Sequence, residues 1–299
     1  MVDAASRATV RIGDTQVTYL PDGHGRLAPD VLFPASAPDG WAAHAAYLDS
    51  AGRFPVSIGS FLIRTDDRVV LVDLGLGAVD FAVPGVADFK GGALLESLAA
   101  EGLAPDDVDT VFYTHLHHDH VGWTSDLAPA PGLDADRTPA GLTFARARHL
   151  VAEAEWRHWA GTDELVGPHP AAVQGPLADR IAFAADDAEL APGVRVLPTP
   201  GHTPGHRSLV VSDPAGTDPR RLIVLGDVMH CQVQVAEPHW SFAFDVDPAE
   251  GRATRERLLK ELEDENTLLA GGHFAGHVFG RVLPPRTARV WQQGRTATP

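Results

Sequence analysis

The sequence predicts a mixed α/β fold of the α+β kind, a four-layer αββα sandwich in which two sheets pack face to face between helices. Short apolar segments rich in β-branched residues recur along the chain, and segments with helical spacing of apolar residues separate them. No shift in composition divides the 299 residues, and 44% of them are apolar, which suffices for a large core. We therefore expect one domain over residues 1–299.

The first half should begin with two hairpins. Their predicted strands are residues 8–12 with 15–19 and residues 56–64 with 68–73. The first pair alternates polar and apolar side chains around Gly13-Asp14, which is a hairpin signal. Between the pairs, residues 21–55 are rich in Pro, Gly, Ala and Asp and predict a long insertion rather than a packed element. Such an insertion could form a lid over a pocket or a contact in a homodimer.

The second half should alternate helices and strands. The predicted helices are residues 92–102 and 248–263, and the predicted strands are residues 108–113, 149–152, 194–197, 208–212, 221–225 and 267–270, with the strand at 149–152 leading into residues 153–159. The helix at 248–263 has the strongest signal, because Pro248 stands at its start and Leu258, Leu259 and Leu262 share one face. No internal repeat is present.

The charge excludes several classes of partner. With 24 basic and 40 acidic residues the net charge is −16, which argues against DNA, RNA or anionic lipid because no basic run supplies counterion release. The N-terminus lacks a basic segment followed by an apolar one, and no apolar run approaches membrane-spanning length. We expect a soluble, cytoplasmic protein without a membrane partner. The single cysteine, Cys231, excludes an internal disulfide, and we expect it to be a small buried residue.

A dense cluster of metal-ligand types follows the predicted strand at 108–113. The stretch from His115 to His120 fits H-x-H-x-D-H, which places three imidazoles and a carboxylate in six positions. His115 and His117 are two positions apart and can point the same way, whereas Asp119 and His120 fall past the turn and can address a second ion. A solvated His-rich loop or a tag fits poorly, because the run is internal and bounded by apolar segments. The spacing predicts two metals.

Three more strands end in candidate ligands. His202 lies in the Pro- and Gly-rich turn after the strand at 194–197, and its rigid loop should present the imidazole. Asp227 follows the strand at 221–225, and His273 follows the strand at 267–270. Four loops after four strands thus each deliver ligands.

The ordered set His-x-His-x-Asp-His, Gly-His, Gly-Asp and Gly-His resembles the metallo-β-lactamase fold superfamily, over roughly Asp73 to His273. Carried over position by position, the resemblance implies one ion on His115, His117 and His202, a second ion on Asp119, His120 and His273, and Asp227 bridging them. It also implies that Asp73, in an Asp-x-Gly turn, supports the site without binding metal. Zn is the most typical metal for imidazole and carboxylate ligands, and Fe, Mn or Co can occupy the same set.

Within the superfamily the residues resemble the lactonase and methyl parathion hydrolase-like branch. Enzymes that destroy β-lactams commonly use a cysteine at the second metal, or a histidine without the bridging aspartate, so Asp227 disfavours that activity. The best-known lactonases carry a substrate-contacting tyrosine three positions after the bridging aspartate, whereas this chain has His230. That departure leaves the substrate open.

The resemblance implies a dinuclear metal-dependent hydrolase that uses a metal-bridging hydroxide to cleave a small lactone, ester or organophosphate. Asp119 could pass a proton to the leaving group, and His230 could contact the substrate, donate a proton or simply support the site. His118 and His206 lie beside ligands but off the pattern, so each is a weaker candidate for a metal contact. Four aromatic residues are candidates either for an apolar pocket wall or for plain core, namely Phe33, Trp41, Trp123 and Trp240.

The alternative within enzymes is a glyoxalase II-like thioesterase that releases an acyl or polyketide product. A nuclease of the same superfamily is weaker, because it would need basic surface for phosphates. A redox metal module of the flavodiiron kind would normally bring a flavin domain that this length does not hold.

Overall fold

The computed structural model describes residues 3–36, 39–129, 137–285 and 287–294. Its strands are β1 Ala8–Ile12, β2 Thr15–Leu27, β3 Phe54–Arg64, β4 Val69–Val72, β5 Asp80–Val83, β6 Ala87–Lys90, β7 Thr110–Phe112, β8 Arg148–Val151, β9 Ile181–Phe183, β10 Glu189–Ala191, β11 Val194–Pro198, β12 Arg207–Ser212, β13 Arg221–Val224, β14 Thr267–Ala270, β15 Phe279–Leu283 and β16 Val290–Gln293. Its α-helices are α1 Pro29–Leu32, α2 Leu94–Ala100, α3 Glu153–Trp159, α4 Gly175–Leu177, α5 Val233–Ala236 and α6 Pro248–Leu262. Short 3-10 turns lie at Gly40–Tyr47, Pro105–Asp107, His118–His120 and Gly226–Val228, and a π turn lies at Pro170–Gln174.

Within the described residues the strands form two sheets. The first has nine strands in the order β5-β6-β2-β3-β4-β7-β8-β9, with β1 paired to β2 beside β6. The second has seven strands in the order β10-β11-β12-β13-β14-β15-β16. Each sheet contains a parallel pair whose strands end at the same edge, β4 with β7 in the first sheet and β13 with β14 in the second.

The alternation of apolar side chains along the strands explains the layers. On β4, Val70 and Val72 face the second sheet, while Leu71 faces the helices on the outer side. On β13, Leu222 faces the first sheet, while Ile223 packs with Leu258 of α6. Strands covered on both faces in this way produce a core between the sheets and an outer core under each helical layer, so the αββα sandwich is confirmed.

The predicted hairpins are confirmed by the antiparallel pairing of β1 with β2 and of β3 with β4. The predicted helices at 92–102 and 248–263 correspond to α2 and α6, and the segment 153–159 that follows the predicted strand at 149–152 is α3. The six strands predicted in the second half also form, although pattern reasoning missed β5, β6, β9, β10, β15 and β16. Searched over its described parts, the chain contains no helix with the length and apolarity that crossing a membrane requires.

The expectation that residues 21–55 form an unpacked insertion is wrong for its first part. β2 continues through this region to Leu27 and pairs with β3 and β6. The register of β2 shifts between Pro21 and Gly23, which is where a proline can lie in a sheet. Gly23 is needed for close approach, because an added Cβ would lie 2.1 Å from the carbonyl oxygen of Lys90. The glycines and proline that indicated a loop therefore belong to a bulged strand.

The remainder of that segment also contributes buried side chains to the core. Phe33 and Trp41 are buried, and they pack with Phe54 and Trp240 in an aromatic cluster. Residues 37 and 38 lie outside the described residues. The role of this segment as a lid stays a prediction, and two of its residues, Leu27 and Leu32, line the pocket described below.

Candidate metal centre

The seven candidate ligands lie together where strands of both sheets end. The motif from His115 to His120 follows β7, His202 follows β11, Asp227 follows β13 and His273 follows β14. Since the parallel pairs end at one edge of each sheet, the loops that carry these residues meet between the two sheets.

The first group comprises His115, His117, His202 and Asp227, whose ligand atoms all lie within 4.8 Å of one another. His117 Nδ1 lies 3.1 Å from His115 Nε2 and 2.9 Å from His202 Nε2. Asp227 Oδ2 lies 3.4 Å from His202 Nε2 and 3.7 Å from His115 Nε2. All four side chains are buried.

The second group comprises Asp119, His120 and His273, again within 4.8 Å of one another. The two Nε2 atoms of His120 and His273 are 3.2 Å apart, and Asp119 Oδ2 lies 3.5 Å from His273 Nε2. Asp227 also reaches this group, because its Oδ1 lies 3.4 Å from His120 Nε2 and its Oδ2 lies 3.2 Å from His273 Nε2. One carboxylate therefore contacts both groups, in the place that the bridging residue should occupy.

Four of the imidazoles are oriented by an acceptor on the side away from the cluster. The Nδ1 atoms of these rings lie against the following partners: His115 against Thr114 Oγ1 at 3.0 Å, His120 against Asp73 Oδ2 at 2.9 Å, His202 against Asp245 Oδ1 at 2.8 Å, and His273 against the carbonyl oxygen of Ser57 at 2.8 Å. Such partners fix the orientation of each ring, so each Nε2 is directed at the cluster.

Asp73 supports the first motif, as the resemblance implies. Its Oδ1 accepts from the backbone N–H of Thr114 at 2.8 Å, and its Oδ2 accepts from Thr114 Oγ1 at 2.8 Å as well as from His120. The residue has a φ of 60°, a left-handed conformation that aspartate tolerates better than most residues.

A buried carboxylate that sequence reasoning missed accepts hydrogen bonds from two of the loops that carry ligands. Glu155 Oε1 accepts from the backbone N–H of Leu116 at 3.0 Å and from Trp159 Nε1 at 2.7 Å. Its Oε2 accepts from Thr203 Oγ1 at 2.6 Å and from the backbone N–H of Gly205 at 3.1 Å. The side chain is fully buried and all its bonds are local to the site. Nothing in the sequence of α3 distinguishes Glu155 from an exposed helical glutamate.

The donor set fits divalent metal ions. Imidazole nitrogens and carboxylate oxygens are the ligands that Zn and related ions prefer. The buried Asp227 Oδ1 has no hydrogen-bond partner, although a buried carboxylate oxygen is normally satisfied. A cation between the two groups would satisfy it.

The protonation states differ between the two groups of ligands. Burial, together with the neighbouring imidazoles, lowers the pKa of His115 and His117 well below the usual value, so both rings are neutral. Burial opposes the ionisation of Asp227, but the charges of His273 and His120 hold the pKa of its carboxyl well below the usual range. Burial opposes the protonation of His120 and His273, but the charge of Asp227 raises the pKa of His120 well above the usual value and that of His273 to about 9. Neutral imidazoles and ionised carboxylates are the forms that bind metal, so these two rings would release their protons when an ion binds.

His206 does not face the cluster, so the expectation that it could contact metal finds no support. Its Nε2 accepts from the backbone N–H of Asp227 at 2.8 Å. Burial lowers the pKa of His206 to about 3, which keeps this acceptor free of a proton. Gly226 makes the contact possible, because its φ is 56° and an added Cβ would lie 2.5 Å from His206 Nε2. His206 thus holds the loop that presents Asp227.

A cavity of about 500 Å³ opens onto the cluster. Its floor includes His117, Asp119, His202, Asp227 and His273, five of the seven candidate ligands. We call the surrounding apolar side chains the wall, which includes Leu27, Leu32, Phe81, Phe89, Leu165, Phe242 and Phe244. Among the described residues that line the cavity there is no lysine or arginine, whereas Asp163 and Glu164 lie on its exposed side.

His118 and His230 belong to the boundary between floor and wall. The ring of His118 packs edge-on against Phe89, with ring centres 5.9 Å apart. The ring of His230 stacks on Phe242 at 3.8 Å, and its Nε2 lies 3.2 Å from Asp227 Oδ2 without forming a hydrogen bond. Burial lowers the pKa of His230 to about 4, against the attraction of Asp227.

The four aromatic residues that were candidates for the wall do not line this cavity. Phe33, Trp41 and Trp240 form the aromatic cluster behind the wall, and Trp123 donates its Nε1–H to Asp22 Oδ1 at 2.8 Å. The wall instead takes Phe81 and Phe89 from the β5–β6 hairpin. The alternation on either side of Pro84-Gly85 was the signal that could have predicted that hairpin.

Comparison with known proteins agrees with this geometry. Residues 53–273 match the family described as the Metallo-beta-lactamase superfamily. Metallo-beta-lactamase domain-containing protein 1 of Mus musculus is 30% identical over 245 residues, which cover 80% of this chain and 74% of the mouse protein. An N-acyl homoserine lactonase of Bacillus thuringiensis is 25% identical over 227 residues, which cover 71% of this chain and 79% of that protein.

A solved structure with the same fold is AidC, a dizinc quorum-quenching lactonase in complex with a product. It superposes with a TM-score of 0.80 at 19% identity, over 99% of this chain and 100% of that chain. The hydrolase AbOPH in the beta lactamase superfamily superposes with a TM-score of 0.77 at 23% identity, over 98% of this chain and 99% of that chain. At such identities the likeness shows the fold alone.

Proposed function

Because the chain belongs to the metallo-β-lactamase superfamily and is a metal-dependent hydrolase, we propose that it acts through two divalent ions on a small uncharged lactone, ester or organophosphate, with a lactone as the leading candidate. The observation that carries the proposal is the cavity, whose apolar wall meets the ligand cluster with no lysine or arginine among the described lining residues. An apolar group would fill the wall while the scissile bond rests on the floor.

The residues that would hold the ions are those of the two groups. His115, His117 and His202 would hold one ion, Asp119, His120 and His273 would hold the other, and Asp227 would reach both. Zn is the first candidate for both positions, with Fe, Mn or Co also compatible with the ligand types. Bound divalent ions would supply an activated water at neutral pH and polarise the oxygen of the scissile bond.

Asp119 is the proposed proton carrier. It is the candidate ligand with the most exposed side chain, at 16%, and it lines the cavity. Burial opposes its ionisation, but the charge of His120 lowers the pKa of the Asp119 carboxyl, so the carboxylate is ready to accept a proton. From that position it would deliver the proton to the departing alkoxide.

His230 is proposed to contact the substrate. Its ring is fixed by Phe242 on one face, and its backbone N–H donates to Gln234 Oε1 at 2.6 Å. Neither ring nitrogen has a hydrogen-bond partner. A neutral imidazole fixed between floor and wall would donate one hydrogen bond to an oxygen or amide of the substrate.

The thioesterase alternative and the nuclease alternative both predict anionic substrates in their common forms. Acyl groups carried by coenzyme A or glutathione bring phosphates or carboxylates to the mouth of the pocket. Asp163 and Glu164 on that side would repel them, and the net charge of −16 adds to the repulsion. An uncharged substrate avoids this cost.

A matched substrate panel tests the proposal. The metal-loaded protein would be assayed with N-acyl lactones of varied chain length, an aryl ester, an aryl phosphotriester and acyl thioesters. Each lactone would be paired with an analogue that bears one carboxylate on the acyl chain. We expect turnover of the uncharged lactones and kcat/KM at least tenfold lower for the carboxylated partners. Turnover confined to thioesters, or no preference within the pairs, would contradict the proposal.

A further inference from the structure

A buried carboxylate outside the seven ligands contacts both the floor and the wall. Asp245 lies between α5 and α6, and its side chain is 0% exposed. Its Oδ1 lies 2.8 Å from Nδ1 of His202, and its Oδ2 accepts from the backbone N–H of Phe242 at 3.1 Å. The two oxygens of one side chain thus reach a candidate metal ligand and the backbone of a wall residue.

The negative charge of Asp245 is balanced by a buried arginine. Arg255, on α6, has a side chain that is 1% exposed, and its Nη2 lies 3.6 Å from Asp245 Oδ2. Its Nε donates to the carbonyl oxygen of Val228 at 2.7 Å, and its Nη1 donates to those of Pro238 at 2.9 Å and Trp240 at 3.2 Å. Burying a charged pair is costly unless its hydrogen bonds are satisfied, and here they are satisfied by the segment that leads to the wall.

The partners of the other imidazoles lack this second contact. Asp73 supports His120 and bonds otherwise to Thr114 of the same motif, while His273 is supported by a backbone carbonyl. Among these supports Asp245 is the one whose remaining oxygen reaches a cavity-lining segment. The same segment carries Phe242, which stacks on His230, and Phe244 beside it.

We infer that Asp245, held by Arg255, is a positioning residue that fixes His202 for the first ion and sets the wall at Phe242 at the same time. A carboxylate behind an imidazole orients the ring and raises its basicity toward metal. The same carboxylate holds the backbone of the wall segment. Metal affinity and substrate affinity therefore depend on one side chain. The second half of this inference rests on the proposed function, because it takes Phe242 to touch the substrate.

The first arm of the test uses metal alone. Asp245→Asn keeps the volume of the side chain and removes its charge. Titration of the metal-free protein with Zn²⁺ against a chromophoric chelator gives the affinity of each ion. We expect one of the two ions to bind about 10–100-fold more weakly and the other to change by less than about threefold. Unchanged affinity for both ions would overturn the positioning role.

The second arm measures KM and kcat for the best substrate at saturating metal. We expect Asp245→Asn to raise KM by about tenfold, in line with a displaced wall. An unchanged KM together with weakened metal binding would overturn the coupling. If the wild-type protein turns over no member of the substrate panel, the proposed function fails while the metal arm still decides the role of Asp245.

Two further variants keep the test decisive if Asp245→Asn does not fold. Arg255→Lys retains a positive charge but loses the planar guanidinium that donates to three carbonyl oxygens. We therefore expect smaller changes in the affinity for one ion and in KM than Asp245→Asn produces. The matched control is Arg252→Lys on the same helix, whose exposed side chain pairs with Glu256 at 2.9 Å. Equal effects of the two lysine substitutions would contradict the inference.

Discussion

The floor of the pocket is held by hydrogen bonds and charge, whereas its wall is held mainly by apolar packing, with the contact from the Phe242 backbone to Asp245 as an exception. Behind the floor, the imidazoles rest on Asp73, Asp245 and backbone or hydroxyl oxygens, and Glu155 joins two of the loops. The wall comes from separate segments, such as the β5–β6 hairpin and the segment before α6, which meet through side-chain contact. Directional bonds fix atoms to fractions of an ångström, while packing leaves shape adjustable. The difference suggests that reaction type resides in the floor and substrate choice in the wall.

The largest expected effect comes from the floor itself. His117→Ala and Asp227→Ala each remove a ligand atom from a cluster in which the atoms are less than 4.8 Å apart. We expect loss of at least one ion per chain by metal analysis and a fall in kcat/KM of about 10³-fold or more. His118→Ala, at the next position in the sequence, is the control and should retain both ions. Two ions and full activity in both ligand variants would refute the assignment of the site.

A smaller effect is expected behind the floor. Glu155→Ala would leave the buried donors of Leu116 and Gly205 without acceptors, which should lower the free energy of unfolding by about 3 kcal/mol. Urea unfolding of the metal-free protein measures this. The control is Glu153→Ala on the same helix, which loses an exposed pair with Arg157 and should change stability by about 0.5 kcal/mol or less. Similar losses in the two variants would mean that Glu155 is no more than a helical surface residue.

The wall should respond in substrate affinity without losing metal. Phe242→Ala removes the ring that stacks on His230, so kcat/KM for an apolar lactone should fall about tenfold while both ions remain. Phe183→Ala, an exposed phenylalanine of β9 that does not line the cavity, is the matched control. Loss of an ion in Phe242→Ala would break the distinction between floor and wall.

The smallest effect is expected at the outer end of the wall. Leu165 is 68% exposed and lines the cavity, so only long substrates would bury it. Leu165→Ala should lower kcat/KM by about threefold for long acyl chains and leave short chains unchanged. Steady-state kinetics across a chain-length series measures the difference. A uniform change across the series would place the side chain outside the substrate's path.

The same contrast explains how much the sequence could predict. The floor was predictable because each candidate ligand is a rare residue type directly after an apolar strand, as with His115 after β7 and Asp227 after β13. Such ligand positions can be read from the spacing of residues within one short stretch of sequence. The fold was predictable for the same reason, since alternation along β3, β4 and β13 is local to each strand.

The wall and the supports depend on contacts between distant parts of the chain. Asp245 and Arg255 look like ordinary polar residues in the sequence, and only the folded chain places Asp245 behind His202 with Arg255 of α6 beside it. Phe81 likewise looks like any core aromatic. The prediction for residues 21–27 was wrong for another reason. Pro21 and Gly23 indicate a loop in the sequence, but pairing with a neighbouring strand accommodates them in a bulge of β2. Sequence pattern does not encode such partners.

The ligand cluster also spans the seam between the two sheets. For either group, some ligands extend from the first sheet, as His115 and His120 do, and others extend from the second, as His202 and His273 do. Neither half of the chain holds a complete set. An ion that binds only the assembled cluster would stabilise the packing of the two halves. At a free concentration one hundred times its dissociation constant, it would raise the free energy of unfolding by about 2.7 kcal/mol. Withdrawal of the ions would then loosen the seam first, since each sheet keeps its own backbone bonds.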